Sequence, residues 1–462
     1  MTKRRPTSPG PSLRISCGDQ LVSEAKQLYC VGIGGIGVSS LAQYYLAQGW
    51  RVAGSDAKES DTTRQLAALG ARIVIGTDPA QAAAADLVVH TTAVDVTHPE
   101  VAAARAADVT VQDYPAALGA LTRDHYTIVI AGTAGKSTTT AMVALILMAA
   151  GEDYDPTVII GTKLRELNWA NFRLGRSRYL VIEADEYKGA FWHYHPAVAV
   201  VLNVDADHLD FYHDIDDIMS SFRRFLGNVA AGGTIILNGR DAHARALGEG
   251  LTGDHQVVMY DDRQAAHRAL QVPGVHNQSN AEAAARAAAA AGVPAEVIER
   301  ALAAFTGTWR RFERVAEGIY SDYAHHPAKI EAAIEAAREM FPAPEYKIIV
   351  VFQPDGKHRL NSLFERFATA FEQADETYIV PTVLKLGRER DEGRGSEELV
   401  ATIQQPNVHF APSVEEAYAQ VAPQVRCGQP GDKTIAIFMG SGDIDKRLRA
   451  LLDRDIVEGM GS

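Results

Sequence analysis

Gly132, Gly135, Lys136 and Ser137 stand in the spacing G-x-x-G-K-S directly after the apolar run Ile128–Ala131. A strand that hands a glycine turn to a helix N-terminus aims backbone N–H groups and the positive end of the helix dipole at an anion. Lys136 adds a mobile charge, Ser137 offers a hydroxyl to Mg²⁺, and Thr133 and Thr138 flank them. The spacing is shorter than the common G-x-x-x-x-G-K-[ST] loop. Two readings follow: a chance turn, or a nucleoside-triphosphate loop of a distinct lineage. Hard oxygen ligands stand further on. Glu183-Ala-Asp185-Glu186 closes the apolar run Tyr179–Ile182, and Asp205-Ala-Asp207-His208-Leu-Asp210 follows the run Val198–Asn203. Two consecutive strands delivering carboxylates and an imidazole to one sheet edge predict a magnesium site of more than one ion, with Glu183 and His208 as ligands.

A second glycine cluster, Gly32, Gly34 and Gly37, follows the strand-like Gln27–Val31, and Asp56 comes about 20 residues after the last glycine. This is a dinucleotide fingerprint: glycines on a diphosphate, a carboxylate on a ribose. Any diphosphate-linked nucleoside suits that geometry, so NAD and a UDP-sugar are not separated by it.

The elements that must position these groups read as alternating strands and helices. Strand-like runs at Trp50–Ala53, Arg72–Ile75 and Asp86–His90 predict a first parallel sheet ending near Leu121. Runs at 128–131, 179–183, 198–203 and 233–237 predict a second, and those at 347–352, 376–380 and 434–439 a third. The alanine-rich stretch Ala281–Gly292 predicts a packing helix, and Phe305–Glu313 a hinge. A chain of 462 residues exceeds one core. With 47% hydrophobic and 22% charged residues and no long apolar run, it has the make-up of a soluble globular protein. A net charge of −13 argues against nucleic acid as partner and for a local site taking a small anion. Cys17, Cys30 and Cys427 show no paired spacing, which fits a reducing cytoplasm without disulfide or zinc. The basic, proline-bearing start reads as a mobile leader over 1–25.

Taken in order, G-T-A-G-K-S-T-T-T, Glu183-Ala-Asp-Glu, Asn203-Val-Asp-Ala-Asp-His208, Gly274-Val-His-Asn277-Gln-Ser-Asn280, Arg310-Arg311-Phe-Glu and Asp322-Tyr-Ala-His325-His326-Pro resemble the Mur ligase family, ATP-dependent amide-forming enzymes of peptidoglycan assembly. The resemblance runs from about residue 28 to Asp443. It implies three α/β domains: a Rossmann-like UDP-sugar-binding domain at 26–121, a P-loop ATPase-type domain at 122–307 and a Rossmann-like amino-acid-binding domain at 308–462. It implies ATP and Mg²⁺ as cofactors, with Gly132 through Thr138 on the phosphates, Lys136 on the β/γ-phosphates, Ser137 and the bridging Glu183 on one ion and His208 on a second. Asn277 and Asn280 fall where the family contacts adenine, Arg311 where it reaches a phosphate and Asp322 where it meets the ribose. UDP-N-acetylmuramate would lie against Gly34, Gly35, Ile36, Gly37, Asp56, Thr91 and Thr92. The amino acid, L-alanine in the members most similar, would meet Tyr323, His325 and Arg359. A soluble, cytoplasmic monomer or weak homodimer is expected, engaging neither membrane nor nucleic acid.

Two departures stand out. Ala134 occupies a loop position where those members usually carry histidine, and Asp355-Gly356 replaces the usual His-Arg ahead of Arg359, so a carboxylate faces the amino-acid region and would favour an amine-bearing or hydroxylated side chain. Tyr187 after the acidic run also fits the family's recycling ligase, which attaches a tripeptide. A nucleotide-binding regulator without turnover is the alternative from another class, disfavoured by the intact Lys136, Ser137, Glu183 and His208.

Overall fold

The computed structural model describes residues 25–208, 211–251, 253–261, 268–383, 392–426 and 433–459; the leader, Cys17, Cys427 and Asp210 lie outside them. Three sheets follow one another along the chain. In the first, β1 (Gln27–Val31), β2 (Arg51–Asp56), β3 (Arg72–Ile75), β4 (Leu87–His90) and β5 (Thr110–Asp113) are all parallel in the order β3-β2-β1-β4-β5. The chain reverses direction across the sheet between β1 and β4, so the glycine turn after β1 opens at the crevice where ligands of such sheets bind.

The second sheet comprises β6 (Tyr126–Ala131), β7 (Thr157–Leu164), β8 (Ala170–Arg173), β9 (Tyr179–Glu183), β10 (Val198–Val201), β11 (Thr234–Asn238) and β12 (Gln256–Tyr260), ordered β12-β11-β10-β6-β9-β7-β8. Only β8 is antiparallel to its neighbour. β6 lies between β9 and β10. The glycine loop, Glu183 and the Asn203–His208 segment therefore leave adjacent strands at one carboxyl edge. β6, β9 and β10 are buried over nearly their whole length, as strands covered by helices on both faces must be. The helix Lys136–Ala149 packs on one face against the helix Val275–Ala290. That second helix begins earlier than its alanine run predicts, so Asn277 and Asn280 ride on its first turns and are buried.

The third sheet, β13 (Glu313–Ala316), β14 (Ile319–Asp322), β15 (Tyr346–Phe352), β16 (Glu376–Ile379), β17 (Val408–Phe410) and β18 (Lys433–Met439), is ordered β13-β14-β18-β15-β16-β17 and is parallel apart from the β13–β14 hairpin. The units are tied together by polar contacts. The Asn171 amide on β8 donates to the Ile36 carbonyl at 2.8 Å and the Ser40 hydroxyl at 2.7 Å, seating the second sheet's edge on the first glycine turn. At the other junction the Trp309 N–H donates to the Lys163 carbonyl at 3.1 Å. Among the described residues no helix is long and apolar enough to cross a membrane.

Candidate active site

The glycine loop is built by its neighbours as much as by itself. Gly135 caps the helix Lys136–Ala149 with φ of 85°, a left-handed conformation that glycine adopts without strain. A Cβ there would also come within 2.4 Å of the Asn280 side-chain oxygen. Asn203, at the end of β10, fixes the turn's other side. Its amide oxygen accepts from the Ala134 N–H at 2.8 Å, its amide nitrogen donates to the Ala134 carbonyl at 3.1 Å, and its own carbonyl accepts from the Thr133 N–H at 3.1 Å. Those two N–H groups are spoken for. The first-turn N–H groups of the helix have no intrahelical acceptors and face the cavity, which makes them the anion donors.

Lys136 folds back: its ammonium donates to the Gly132 carbonyl at 2.6 Å and pairs with Glu186 at 2.8 Å. Burial acts to lower its pKa, but Glu186, Asp185 and Glu183 outweigh burial and hold it above the ordinary lysine value. Glu186 is thus the partner of Lys136, whereas the acidic run read alone offered it as a metal ligand. The Tyr212 hydroxyl donates to the Glu186 carbonyl at 2.5 Å and fixes this corner.

Glu183 leaves the end of β9 beside Ser137. Burial raises its pKa, against the Ser137 hydroxyl, Lys136 and Arg311, which lower it. One carboxylate oxygen, Oε2, is buried without a hydrogen-bond partner. The other occupies the space where residue 161 would carry its Cβ: a Cβ on Gly161 would sit 1.8 Å from Oε1. A buried, unpartnered carboxylate oxygen costs free energy unless a cation or donor completes it. Ser137 and Glu183 therefore fit Mg²⁺, which takes one or two protein oxygens and fills its shell with phosphate and water. Among the described residues no three His, Cys, Asp or Glu side chains gather as a metal cluster. His208, whose backbone has φ of 57°, lays its ring against Tyr187 with centroids 4.8 Å apart.

A cavity of about 620 Å³ runs from this loop to the third unit. Thr133, Gly135, Lys136, Ser137, Thr138, Asn277, Asn280, Arg311, Asp322, Tyr323 and His325 all line it. Asn277 donates to the Pro273 carbonyl at 2.6 Å and accepts from Asn280 at 3.3 Å. Asp322 takes the Phe312 and Ala324 N–H groups, one on each oxygen, both at 2.7 Å, and so shapes the hinge; burial raises its pKa against Arg311 and those two donors. Tyr323 lies between the guanidinium groups of Arg310 and Arg311, each 4.8 Å from its ring centre. Burial drives both His325 and His326 well below the ordinary histidine pKa, and they are neutral at pH 7. Arg359, on the helix Lys357–Ser362, is not among the residues that line the cavity; it lies 3.5 Å from Asp355, just ahead of that helix, and 3.7 Å from Asp207 of the second unit.

The remaining predicted residues are grouped at the first sheet's crevice. The Gly34 N–H donates to Asp56 at 2.9 Å, Gly35 caps the helix that begins at Ile36, and Gly37 packs against the Tyr114 ring. Thr91 donates its N–H to the Val31 carbonyl at 3.0 Å, and the exposed Thr92 follows it. Asp56 thus holds the glycine turn in shape in addition to facing the crevice.

These features define a nucleotide-using α/β enzyme of three units whose phosphate loop is closed over by its last unit. Comparison with known proteins bears this out: residues 27–126 match the model of the Mur ligase family catalytic domain, 130–272 the Mur ligase middle domain and 310–442 the Mur ligase glutamate ligase domain. UDP-N-acetylmuramate--L-alanine ligase of Sorangium cellulosum is 35% identical over 457 residues, covering 93% of this chain and 96% of that protein. The crystal structure of the UDP-N-acetylmuramate-alanine ligase of Thermotoga maritima superposes with TM-score 0.73 at 26% identity, covering 94% of this chain and 99% of that one. A murein peptide ligase from Psychrobacter arcticus shares the fold, with TM-score 0.66 at 24% identity over 93% of this chain and 98% of that one. The chain belongs to the Mur ligase family.

Gly161 and Lys329 complete the site without having been singled out from sequence, and Asn203 and Glu186, which stood inside quoted motifs, take roles there that the motifs did not assign: one clamps the Ala134 peptide and the other pairs with Lys136.

Proposed function

We propose that this protein joins L-alanine to the lactyl carboxylate of UDP-N-acetylmuramate with ATP, in peptidoglycan precursor synthesis in the cytoplasm. The carrying observation is the cavity that sets the Lys136–Ser137 helix terminus against Arg311, Tyr323 and His325 of the third unit, with the buried, half-satisfied Glu183 beside Ser137. In this reading residues 26–121 hold the sugar nucleotide, 122–307 the ATP and 308–462 the amino acid.

The chemistry follows from those parts. An oxygen of the lactyl carboxylate attacks the γ-phosphorus, the bond to the β-phosphate oxygen breaks, and ADP leaves an acyl phosphate behind. The neutral amine then attacks the acyl carbon, the carbon–oxygen bond to phosphate breaks, and the amine's proton is lost with inorganic phosphate as leaving group. Mg²⁺, when bound at Ser137 and Glu183, neutralises charge on the transferring group. Lys136 and the first-turn N–H groups hold the phosphates in line, and closure of the third unit excludes water. Positioning of this kind contributes up to roughly 7–11 kcal/mol in favourable cases.

The test is phosphate release from ATP with UDP-N-acetylmuramate and single amino acids, with the tripeptide L-alanyl-γ-D-glutamyl-meso-diaminopimelate as a parallel arm. Release that requires both the sugar nucleotide and L-alanine is expected. Release supported only by the tripeptide replaces this reading by the recycling ligase. Release independent of sugar nucleotide and amine rejects ligation altogether.

A further inference from the structure

The helix Pro327–Met340 presents one face to the cavity, formed by Ala328, Lys329, Ala332, Ala333 and Ala336. Alanine at four of these positions keeps the wall thin. At its far end Ala336 lies beside Gly274, where a Cβ would approach the Ala336 Cβ to 3.0 Å, and Val272, Pro273 and Val275 make that end apolar. Lys329 stands two turns nearer the N-terminus, about 10 Å along the helix. The face therefore suits a ligand with a flat apolar head and an anionic tail, the tail ending at Lys329.

The surroundings of Lys329 point the same way. Its ammonium has no hydrogen bond or ion pair among the described residues, while the neighbouring Lys136 and Arg359 both have carboxylate partners. Burial, and then the charges of Lys136 and Arg311, lower its pKa to about 8 against the pull of Asp207 and Glu186. A cation pressed among cations, with carboxylates too distant to pair, is completed by a polyanion.

We propose that Lys329 is a phosphoryl-contacting residue, through which the third unit places a second ammonium on the γ-phosphate of ATP across from Lys136. This rests on the cavity being the ATP site of the ligase proposed above. It gives the third unit a direct reading of ATP against ADP: the unit that carries the amino acid is drawn in while the γ-phosphate is present and loses that hold when phosphate departs.

The experiment is calorimetric binding of Mg·ADP and of the β,γ-imido analogue of ATP to the full chain, as wild type, Lys329→Met and Lys329→Arg. Trapping of the acyl phosphate by hydroxylamine is measured alongside. Lys329→Met is expected to weaken the analogue by at least about tenfold, to change ADP by less than about twofold and to reduce trapped hydroxamate, with Lys329→Arg restoring most of each. Equal weakening of both nucleotides, or of neither, overturns the proposal. A wild type that binds the analogue but releases no phosphate with sugar nucleotide and amino acid defeats the ligase reading, while the nucleotide comparison still decides the role of Lys329.

Discussion

The Glu183 carboxylate occupies the space that a side chain on residue 161 would fill, with Oε1 only 1.8 Å from the position of a Cβ on Gly161. β7 and β9 are hydrogen-bonded neighbours, and the pairing of Ile159 with Ile182 brings Gly161 alongside Glu183. Gly161→Ala adds one methyl group and removes no functional atom, yet it must push the carboxylate away from Ser137. Displacement of about 1 Å is enough to cost on the order of 100-fold in kcat, against overpacking of about 1–3 kcal/mol in stability. Steady-state turnover and thermal unfolding of the variant separate the two; unchanged kcat would show that Glu183 acts from another rotamer.

Asn203 makes a comparable prediction for binding. Its side chain clamps both polar groups of the Ala134 peptide. Asn203→Ala removes two hydrogen bonds worth about 0.5–1.5 kcal/mol each and lets the loop relax before it meets phosphate. ADP affinity measured by calorimetry should fall by roughly 5- to 100-fold, as about 1.4 kcal/mol corresponds to tenfold. An unchanged affinity would mean that Gly135 and Asn280 alone hold the turn.

How much of this was readable from sequence depended on whether the signal was local. The loop, Glu183 and the Asn203–His208 segment are contiguous motifs at strand ends, and the order of apolar runs placed them on one sheet edge. Gly161 lies 22 residues before Glu183 and acquires meaning only through strand pairing. Its strand, β7, was not anticipated, because Gly161 and the charged Lys163 interrupt the apolar run Val158–Ile160. β12 was missed because it is an edge strand with mostly exposed side chains. Lys329, in Pro-Ala-Lys-Ile-Glu, reads like any solvated helix lysine. It becomes a site residue only because the third unit closes over the second.

His326 should leave a mark on stability against pH. It is 3% exposed, its Nε2 is buried without a partner, and burial lowers its pKa to about 4 against 6.5 for a free imidazole, with Lys329 adding to the effect and Asp207 opposing it. Because the folded pKa lies below the unfolded one, the unfolded chain binds the proton first. Stability is therefore intact above about pH 6.5 and is lost as pH falls toward 4, by about 3 kcal/mol for this group. His325 acts in the same direction. Urea unfolding at pH 7.5 and 4.5 should show a smaller difference for His326→Asn than for wild type; parallel pH slopes would exclude His326 as the source.

Arg359 is shared between two carboxylates, Asp355 at 3.5 Å and Asp207 across the junction at 3.7 Å, and the Ser441 hydroxyl also donates to Asp355. In the proposed ligase, where Arg359 is expected to take the α-carboxylate of the amino acid, Asp355 would compete with that carboxylate for the guanidinium. Asp355→Asn should therefore lower the KM for the amino acid several-fold, and Arg359→Ala should raise it by at least about tenfold, the size of one charge-assisted contact. The KM for ATP should change little in either variant. Preference among amino acids should be the same in wild type and in Asp355→His, because the residue tunes the grip on a carboxylate common to all of them. A shift of preference toward lysine or ornithine in wild type, abolished by Asp355→His, would instead mean that Asp355 turns away from Arg359 and selects the side chain.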